Sequence, residues 1–128
     1  MRRLFIVAMA AAAGLTSWGS AQAHHSGAMF DRSRQVTLVG TVKDFSWTNP
    51  HSSFSVEVTK PDGSVELWGV EMNSPNNLVR EGWTRTTLNP GDKVTAVINP
   101  LRDGKPGGVY VGVTLPDGKV LGTGAGPR

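Results

Sequence analysis

GTVKDFSWTNPHSS, residues 40–53, begins with the pattern of a β-strand and ends in a proline-containing turn. Apolar residues alternate with polar ones up to Val42, and the alternation resumes one position out of phase at Phe45 and Trp47. A one-residue slip would turn the later side chains to the opposite face of a sheet, whereas one extra, unpaired residue restores their facing and bends the strand. We therefore predict a β-bulge near Lys43–Asp44 in a long, bent first strand of the kind that a small closed barrel needs.

Period-2 alternation predicts that this strand begins near Val36 and that four or five more strands follow it. The third strand contains a second change of phase, near Trp68, where a further irregularity is expected. Proline, aspartate and glycine cluster between strands and predict tight turns, because proline presets φ and glycine accepts positive φ. The later strands are predicted over residues 54–58, 65–70, 94–98, 109–115 and 120–121.

One short helix is predicted between the third and fourth strands. Asn73 or Ser74 can cap it, and Pro75 suits its first position. Gly82 suits the position just past its body, residues 76–81, which amounts to about two turns. The side chains expected to pack this segment against the sheet are Leu78, Val79 and Trp83.

The predicted order of elements is three strands, a short helix and two or three more strands, which is the order of the OB-fold. All the connections are short, and short connections favour antiparallel neighbours. The sequence therefore predicts an all-β protein, a small OB-like barrel of five to six antiparallel strands with one short helix between strands three and four. The alternative is a β-sandwich, which would need about seven strands and no helix at this point.

The N-terminal segment has the features of a secretory signal peptide. Arg2 and Arg3 form a basic start, and the apolar run Leu4–Leu15 is too short to span a bilayer comfortably. Ala21–Ala23 is a small-x-small cleavage site, so we expect a periplasmic or secreted protein with no membrane span after cleavage. The predicted division is a signal peptide over residues 1–23, an N-terminal arm over 24–34, a β domain over 35–121 and a disordered tail over 122–128.

Charge and cysteine content restrict the function further. The chain has 13 Lys and Arg against 10 Asp and Glu, and cleavage removes Arg2 and Arg3, which lowers the net charge to about +1. No run of basic residues is interleaved with aromatic ones, so nucleic acid is not an expected partner. Because the chain has no cysteine, a metal site would have to use histidine, methionine, carboxylate or backbone ligands.

All three histidines lie in two short stretches, HHS after the predicted cleavage site and PHS after the first strand. Cleavage after Ala23 exposes His24, whose α-amine and imidazole Nδ1 can chelate one metal ion together. His51 or His25 would add a third nitrogen, and such donors suit Cu(II) near a tetragonal plane. The set resembles the histidine brace of copper proteins. The predicted metal ligands are therefore His24, His25 and His51, with copper as the cofactor.

Two alternatives to this site remain open at the level of sequence. Cleavage after Ala21 would place His24 third in the mature chain, where a histidine binds Cu(II) or Ni(II) through the amine, two backbone amides and the imidazole. In the other alternative, His24 and His25 are only polar residues of a flexible arm, and His51 only caps its turn. The residue types suit a metal site, but the sequence gives no geometry.

A second candidate site uses the face of the barrel. Exposed aromatic residues on an OB-like barrel bind oligonucleotides or sugars, and Trp47 and Trp68 lie on predicted strands. Glu71 interrupts the apolar run 68–72 and is the carboxylate expected beside them. The alternative is that the tryptophans, Trp83 included, close the core, since large aromatic residues dominate small cores.

Catalysis has little support in the sequence. Glu57 and Glu66 are expected on outward positions of adjacent strands, where they would be either paired carboxylates or an ordinary solvated face. A hydrolase that uses Glu71 and His51 is a third hypothesis, but no nucleophile–base pattern accompanies them. Binding is therefore favoured, either of copper or, alternatively, of an unknown protein or small-molecule partner by a non-metal module.

Several motifs along the predicted mature chain occur together. They are HHS at 24–26 followed by Phe30-Asp31, GTVKDFSWTNPHS at 40–52, Trp68-x-x-Glu71, Leu78-x-x-x-Gly82-Trp83, Pro90-Gly91-Asp92-x-Val94 and the run Asn99–Gly104. Together they resemble a family of small exported bacterial proteins known only as a domain of unknown function. The resemblance covers nearly all of the mature chain and implies an exported, single-domain β protein. It implies no activity, because none is assigned to that family.

Overall fold

A computed structural model describes residues 27–123 of the protein. The helix α1 (Pro75–Arg80) lies between the third and fourth strands, and a single 3-10 turn covers Gly27–Met29. The strands are β1 (Val36–Ser46), β2 (Ser53–Thr59), β3 (Val65–Glu71), β4 (Lys93–Pro100), β5 (Gly107–Thr114) and β6 (Val120–Gly122). The predicted signal peptide and the residues after Thr123 lie outside the part of the chain that is described.

Strands β1 to β5 close into a barrel, and β6 pairs with β5 without being part of the closed ring. Hydrogen bonding follows the order β3-β2-β1-β4-β5-β6, and an additional pairing of β3 with β5 closes the sheet. The prediction of an OB-like barrel with a short helix between β3 and β4 is confirmed. The β3–β5 pair is parallel, so the expectation of antiparallel strands throughout is wrong at this closure. A ring with an odd number of strands cannot reverse direction at every pair, and one pair must therefore be parallel.

The bulge in β1 occurs where the sequence predicts it. The pairing with β2 moves from Val42 directly to Asp44 and leaves Lys43 without a partner on that strand. Val42 before the bulge and Phe45 after it both pack against the core. The extra residue thus lets one bent strand turn apolar side chains inward along its whole length, and β1 pairs with both β2 and β4.

β1 and β2 approach each other closely at Gly40. A Cβ atom at this position would lie 2.2 Å from the Glu57 carbonyl oxygen and 2.7 Å from Val56 Cγ1. At Gly69 in β3, by contrast, a Cβ atom would meet nothing within 4 Å. Packing of the bent strand against β2 therefore requires glycine at position 40 but not at position 69.

β3 is more regular than the sequence predicts. It pairs with β2 residue by residue, so the irregularity expected near Trp68 is absent from the strand. Val70 faces the interior and is 1% exposed, whereas Val65 and Leu67 lie on the other face and are 60% and 47% exposed. The prediction was wrong because Val65 and Leu67 are apolar but exposed. Side-chain type alone does not show which face of a strand is buried.

Glu57 and Glu66, which the sequence allows either as paired carboxylates or as a solvated face, do not face each other. Glu66 lies directly opposite Val58, the chain neighbour of Glu57, and neighbours in a strand point to opposite faces. Each carboxylate instead meets its own lysine, Glu57 with Lys43 at 3.2 Å and Glu66 with Lys60 at 3.2 Å. The paired-carboxylate interpretation is therefore wrong, because the hairpin register separates the two groups.

α1 is held to the barrel mainly by Leu78, which is fully buried. Val79 is 58% exposed, so the prediction that it packs against the sheet is wrong. Ser74 stands at the N-cap without a side-chain cap bond, and Gly82 ends the segment with a φ of 95°. No helix within residues 27–123 is long and apolar enough to cross a lipid bilayer.

Trp83 fills the space between the helix end and the barrel. Its side chain is fully buried, and its ring lies 6.0 Å from that of Phe45 and 5.4 Å from that of Tyr110, measured between centroids. Its indole Nε1–H donates a hydrogen bond of 3.1 Å to the Tyr110 hydroxyl. Burial, together with the nearby Glu81 carboxylate, raises the pKa of Tyr110 to about 12. Trp83 thus belongs to the core, as the alternative interpretation of the tryptophans predicts.

Phe30 anchors the segment that precedes β1. Its side chain is 6% exposed, and its backbone forms an isolated bridge with Leu101. Backbone hydrogen bonds on either side of this bridge reach Pro100 at 2.8 Å and Arg102 at 2.9 Å. The described part of the arm, from Gly27 onward, therefore lies along the β4–β5 connection, beside the barrel wall.

Candidate functional site

A groove of about 850 Å³ lies between the arm, the end of β3 and the middle of β5. We call it the arm groove. Its polar side chains are Arg32, His51, Glu71, Asn73, Glu81, Asn99, Tyr110 and Thr123, and its remaining walls are formed by Gly27, Phe30, Met72, Val109, Val111 and Gly122. Its volume falls in the range of small-ligand sites, about 300–1,000 Å³.

His51 is exposed in this groove, and one hydrogen bond orients its ring. The Nδ1 atom lies 3.2 Å from the carbonyl oxygen of Met72. A carbonyl oxygen can only accept, so Nδ1 carries the proton in this bond, and Nε2 keeps its lone pair when the ring is neutral. Metal-binding histidines commonly donate their other ring N–H to a carbonyl or carboxylate in this way.

An irregularity just after β3 positions the carbonyl that His51 uses. The Ser52 N–H donates to Asn73 O at 3.0 Å, and Ser52 O accepts from the Met72 N–H at 2.9 Å. One residue on the β2 side therefore faces two residues after β3, which is the pattern of a β-bulge. Ser52 is fully buried, so the backbone beside His51 is fixed. This bulge lies beyond the end of β3 and is not the change of phase expected near Trp68.

Glu71 ends β3 and points away from the core. Val70 and Met72 on either side of it are 1% and 2% exposed, whereas Glu71 is half-buried. Its side chain lines both the arm groove and a neighbouring cavity of about 430 Å³, the serine pocket. The hydroxyl-bearing residues of the serine pocket are Ser46, Ser53 and Ser55. Within residues 27–123, the Glu71 carboxylate has neither a hydrogen-bond donor nor a basic partner.

Trp47 and Trp68 do not join Glu71 in one binding face. Trp68 lies opposite the fully buried Val56 and so faces the interior. Trp47 stacks edge-on against Phe45, with ring centroids 5.9 Å apart. Both tryptophans pack against the core, and neither lines the arm groove. Of the three residues predicted to bind a ligand, only Glu71 lies in this groove.

His24 and His25 lie outside the described residues. Gly27, three positions after His24, lines the arm groove together with His51. No group of three or more histidine and carboxylate side chains between residues 27 and 123 is arranged to hold a metal ion.

Charges of both signs line the arm groove. Arg32 enters it from the arm, Glu71 from β3 and Glu81 from the end of α1. In the described part of the chain, none of these three forms an ion pair. Beside the groove, the hydroxyl and N–H of Ser33 donate to Asp31 at 2.6 and 3.1 Å and lower the pKa of that carboxyl. The arm is thus fixed by local hydrogen bonds. Arg32 and Glu71 have no ion-pair partner among residues 27–123, whereas the Glu81 carboxylate interacts with the Tyr110 hydroxyl.

Asn99 lines the groove, although the sequence predicts no binding role for it. It is 7% exposed, and its Nδ2 donates a hydrogen bond of 2.7 Å to Arg34 O. This bond holds the end of the arm against β4. A polar residue at the end of the apolar strand Val94–Ile98, just before a proline, is the sequence signal that could have identified it.

The chain was compared with solved structures, with curated proteins and with protein-family models. Two crystal structures of the mitochondrial single-stranded DNA-binding protein Rim1 from S. cerevisiae are similar. One has a TM-score of 0.49 at 12% identity and covers 64% of this chain and 92% of its own. The selenomethionine-labelled form has a TM-score of 0.46 at 18% identity and covers 64% and 93%. No curated protein matches the chain. Residues 11–110 match DUF6152, a family of unknown function, and the chain belongs to this family.

Proposed function

We propose that this protein is exported and binds one Cu(II) ion in the arm groove. The α-amine and the imidazole Nδ1 of His24, at the mature N-terminus, supply two nitrogens, and Nε2 of His51 supplies the third. Nitrogen donors of this kind suit Cu(II), which prefers a tetragonal plane.

One hydrogen bond carries this proposal. His51 Nδ1 donates to Met72 O over 3.2 Å, so the ring is held in the tautomer whose Nε2 can bind a metal. A histidine that only capped its own turn would be expected to bond to a neighbouring loop residue. His51 instead bonds to a residue 21 positions away, across a β-bulge, and bulges are common beside functional sites.

The position of the arm supports the same proposal. Gly27 lines the groove that contains His51, and His24 is three residues from Gly27. Three residues of extended chain span about 10 Å, a distance comparable with the dimensions of the groove. An arm that started on the far side of the barrel would have made a shared site impossible.

The test uses the full chain, expressed in bacteria and purified from the periplasm. Its N-terminus is determined by mass spectrometry, and Cu(II) binding is measured by competition titration and electron paramagnetic resonance. We expect a chain that starts at His24 and binds one copper ion. An alanine added before His24, or the substitution His51→Ala, should weaken binding by at least about 100-fold, because changes behind the ligands alone cost up to about that much.

His25→Ala is the matched control, since His25 is a neighbouring histidine that the proposal does not use. It should leave the affinity unchanged. The proposal is wrong if the alanine-extended chain binds copper as tightly as the native one. A strong effect of His25→Ala with none from His51→Ala would place the third nitrogen on the arm instead and would also overturn it.

A second candidate function is the binding of a small organic molecule in the arm groove without metal. The volume of about 850 Å³ favours it, as does the mixture of an apolar wall with a few polar groups, which is typical of ligand sites. A protein that binds no copper but is stabilised against heat by members of a small-molecule library would support this function over the first.

A further inference from the structure

We infer that the serine pocket binds a small organic cation, a molecule with one protonated amine on an apolar body. The pocket has a volume of about 430 Å³, which lies in the range of small-ligand sites, about 300–1,000 Å³. All of its lining residues lie between Met29 and Gly108, within the described part of the chain. None of the donors proposed for copper lines it, so the inference goes beyond the proposed function and does not depend on it.

One side of the pocket is a row of oxygen atoms that crosses three strands. Ser46 of β1 lies opposite Ser53 of β2, and Ser53 lies opposite Glu71 of β3. Directly opposite residues have Cβ atoms about 4.5–5.5 Å apart, so one ammonium group can contact the Ser53 hydroxyl and the Glu71 carboxylate together. An ammonium group has three N–H donors and no acceptor, and this row offers it only side chains that can accept.

Two members of this row have no partner for their side chains within residues 27–123. Neither the Ser53 hydroxyl nor the Glu71 carboxylate forms a hydrogen bond or an ion pair there. The other glutamates of the first three strands, Glu57 and Glu66, each pair with a lysine at 3.2 Å. Because burial of a charge without a counter-charge costs free energy, the half-buried Glu71 is the glutamate of this sheet that gains most from a bound cation.

The charge of the lining determines the sign of the ligand. Its two charged side chains, Asp44 and Glu71, are both carboxylates, and no basic side chain of residues 27–123 lines the pocket. Asp44 accepts a 3.2 Å hydrogen bond from the Ser55 hydroxyl, so it belongs to the same polar surface. An anionic ligand would be repelled by both carboxylates, whereas a cationic ligand is complementary to them.

The side of the pocket toward β5 is apolar. Met29, Phe30 and Leu101 line it, and the Leu101 N–H donates to Gly107 O at 3.0 Å. Gly107 is the β5 partner of Gly69, which separates this wall from the polar row. A Cβ atom at Gly69 would meet nothing within 4 Å, so the floor of the pocket leaves room for an apolar body. A few polar groups beside an apolar wall are typical of ligand sites.

The test measures the binding of three probes to the purified full chain by isothermal titration calorimetry. Phenethylamine, phenylethanol and phenylpropanoate share one apolar body and carry a positive, a neutral and a negative group. Phenethylamine should bind at least about 10-fold more tightly than phenylethanol, because a hydrogen bond to a charged group is worth at least that factor. Phenylpropanoate should bind more weakly still. No binding of phenethylamine, or equal affinities for all three probes, would overturn the inference.

Two substitutions at the floor test the position of the ligand. Gly69→Leu should fill the pocket and reduce phenethylamine binding below detection. Gly69→Ala is the milder variant in case the leucine variant does not fold, and it should weaken binding while leaving the fold intact, since its Cβ atom meets nothing within 4 Å. Native affinity in a folded protein with either substitution would show that the amine does not bind above Gly69.

A pair of glutamate substitutions on β3 tests the charged contact. Glu71→Gln should weaken phenethylamine binding by about 10-fold and leave phenylethanol binding nearly unchanged. Glu66→Gln is the matched control, because it removes the same charge from the same strand and lines neither cavity. It should not alter either affinity. Equal effects of the two substitutions would mean that the ammonium group has no specific contact with Glu71, contrary to the inference.

His51→Ala separates the serine pocket from the arm groove, because Glu71 lines both cavities and His51 lines only the groove. Phenethylamine affinity should be unchanged in His51→Ala. A loss there, with none in Gly69→Leu, would place the amine in the arm groove and overturn the inference. Copper binding is measured on the same proteins, so a chain that binds phenethylamine as expected but no copper would contradict only the proposed function.

Discussion

The surroundings of Trp83 and the arm groove differ in how far their polar groups are hydrogen-bonded within the protein. The indole N–H of Trp83 is buried but has a hydrogen-bond partner in Tyr110. In the arm groove, only one nitrogen of His51 is bonded, and Glu71 has no partner among the described residues. The first region is closed and satisfied, and the second keeps its donor atoms available.

The difference indicates that stability and function depend on different residues. Satisfied, buried groups contribute to the free energy of unfolding, whereas unpaired groups at a surface contribute little to it. Substitution of Trp83 itself should therefore alter stability with little effect on the proposed copper affinity, and substitution of His51 should do the reverse. Tyr110 belongs to both regions, since it bonds to Trp83 and lines the arm groove. The following predictions test the first half of this comparison, in order of expected size.

Trp83→Ala should lower the free energy of unfolding by about 3–5 kcal/mol, since it removes a large, fully buried aromatic side chain. Urea denaturation followed by circular dichroism measures the change, with Trp83→Phe as the milder variant if the alanine variant does not fold. Val79→Ala is the control, because Val79 is 58% exposed and should change stability by less than about 0.5 kcal/mol. Equal effects of Trp83→Ala and Val79→Ala would contradict the assignment of Trp83 to the core.

Gly40→Ala should lower the free energy of unfolding by about 1–3 kcal/mol, the usual cost of overpacking. The added methyl group would meet the backbone of β2 at 2.2 Å, and backbone cannot rotate out of the way. The same change at Gly69, where nothing lies within 4 Å, should be neutral or stabilise the protein by up to about 1 kcal/mol. Thermal melts of both variants measure the difference, and a Gly40→Ala protein as stable as Gly69→Ala would show that β1 and β2 are farther apart than described.

Raising the pH should destabilise the protein through Tyr110. The pKa of its hydroxyl rises from 10.0 to about 12 on folding, so above pH 10 the unfolded chain releases a proton that the folded chain keeps. Stability from this group is therefore complete below pH 10 and is lost as the pH rises to about 12. Because the chain has one tyrosine, tyrosinate absorbance reports it directly.

Tyr110→Phe separates the effect of the Tyr110 hydroxyl on the pH dependence of stability from the effect of the lysines, which titrate in the same pH range. The variant should be less stable than the native chain at neutral pH, since the Trp83 indole N–H loses its acceptor. It should also lose less stability between pH 10 and 12. A native absorbance titration centred on pH 10 would mean that Tyr110 is solvated rather than part of the closed region.

Local features of the fold could be predicted from the sequence. The bulge in β1 is predicted by a change of phase within six residues. The turn before β3 is predicted by Pro61-Asp62-Gly63, and Gly63 has the positive φ, 86°, that glycine accepts. The start of α1 at Pro75 and the glycine just past its end, Gly82, also depend only on nearby residue types. Each of these features results from backbone preferences that act within a few residues.

The arm groove could not be predicted, because it combines residues that are distant in sequence. Whether Glu66 shares a face with Glu57 depends on the register of the β2–β3 hairpin, and a shift of one residue moves a side chain to the opposite face. The bulge at Met72–Asn73 is visible only through its hydrogen bonds to Ser52. The sequence joins His51 and Glu71 only in the hydrolase hypothesis, without geometry, and the pairing of β2 with β3 is what brings both side chains to one groove.

The burial of Phe30 has a consequence for the proposed copper site. Because Phe30 fixes the arm beside the groove, donor atoms a few residues upstream would act at a high effective concentration rather than as free solutes. Short flexible tethers raise local concentrations to the millimolar range, and the gain falls as the tether lengthens. The number of residues between Phe30 and the N-terminus would thus act as an adjustable determinant of affinity that leaves every contact within the barrel unchanged.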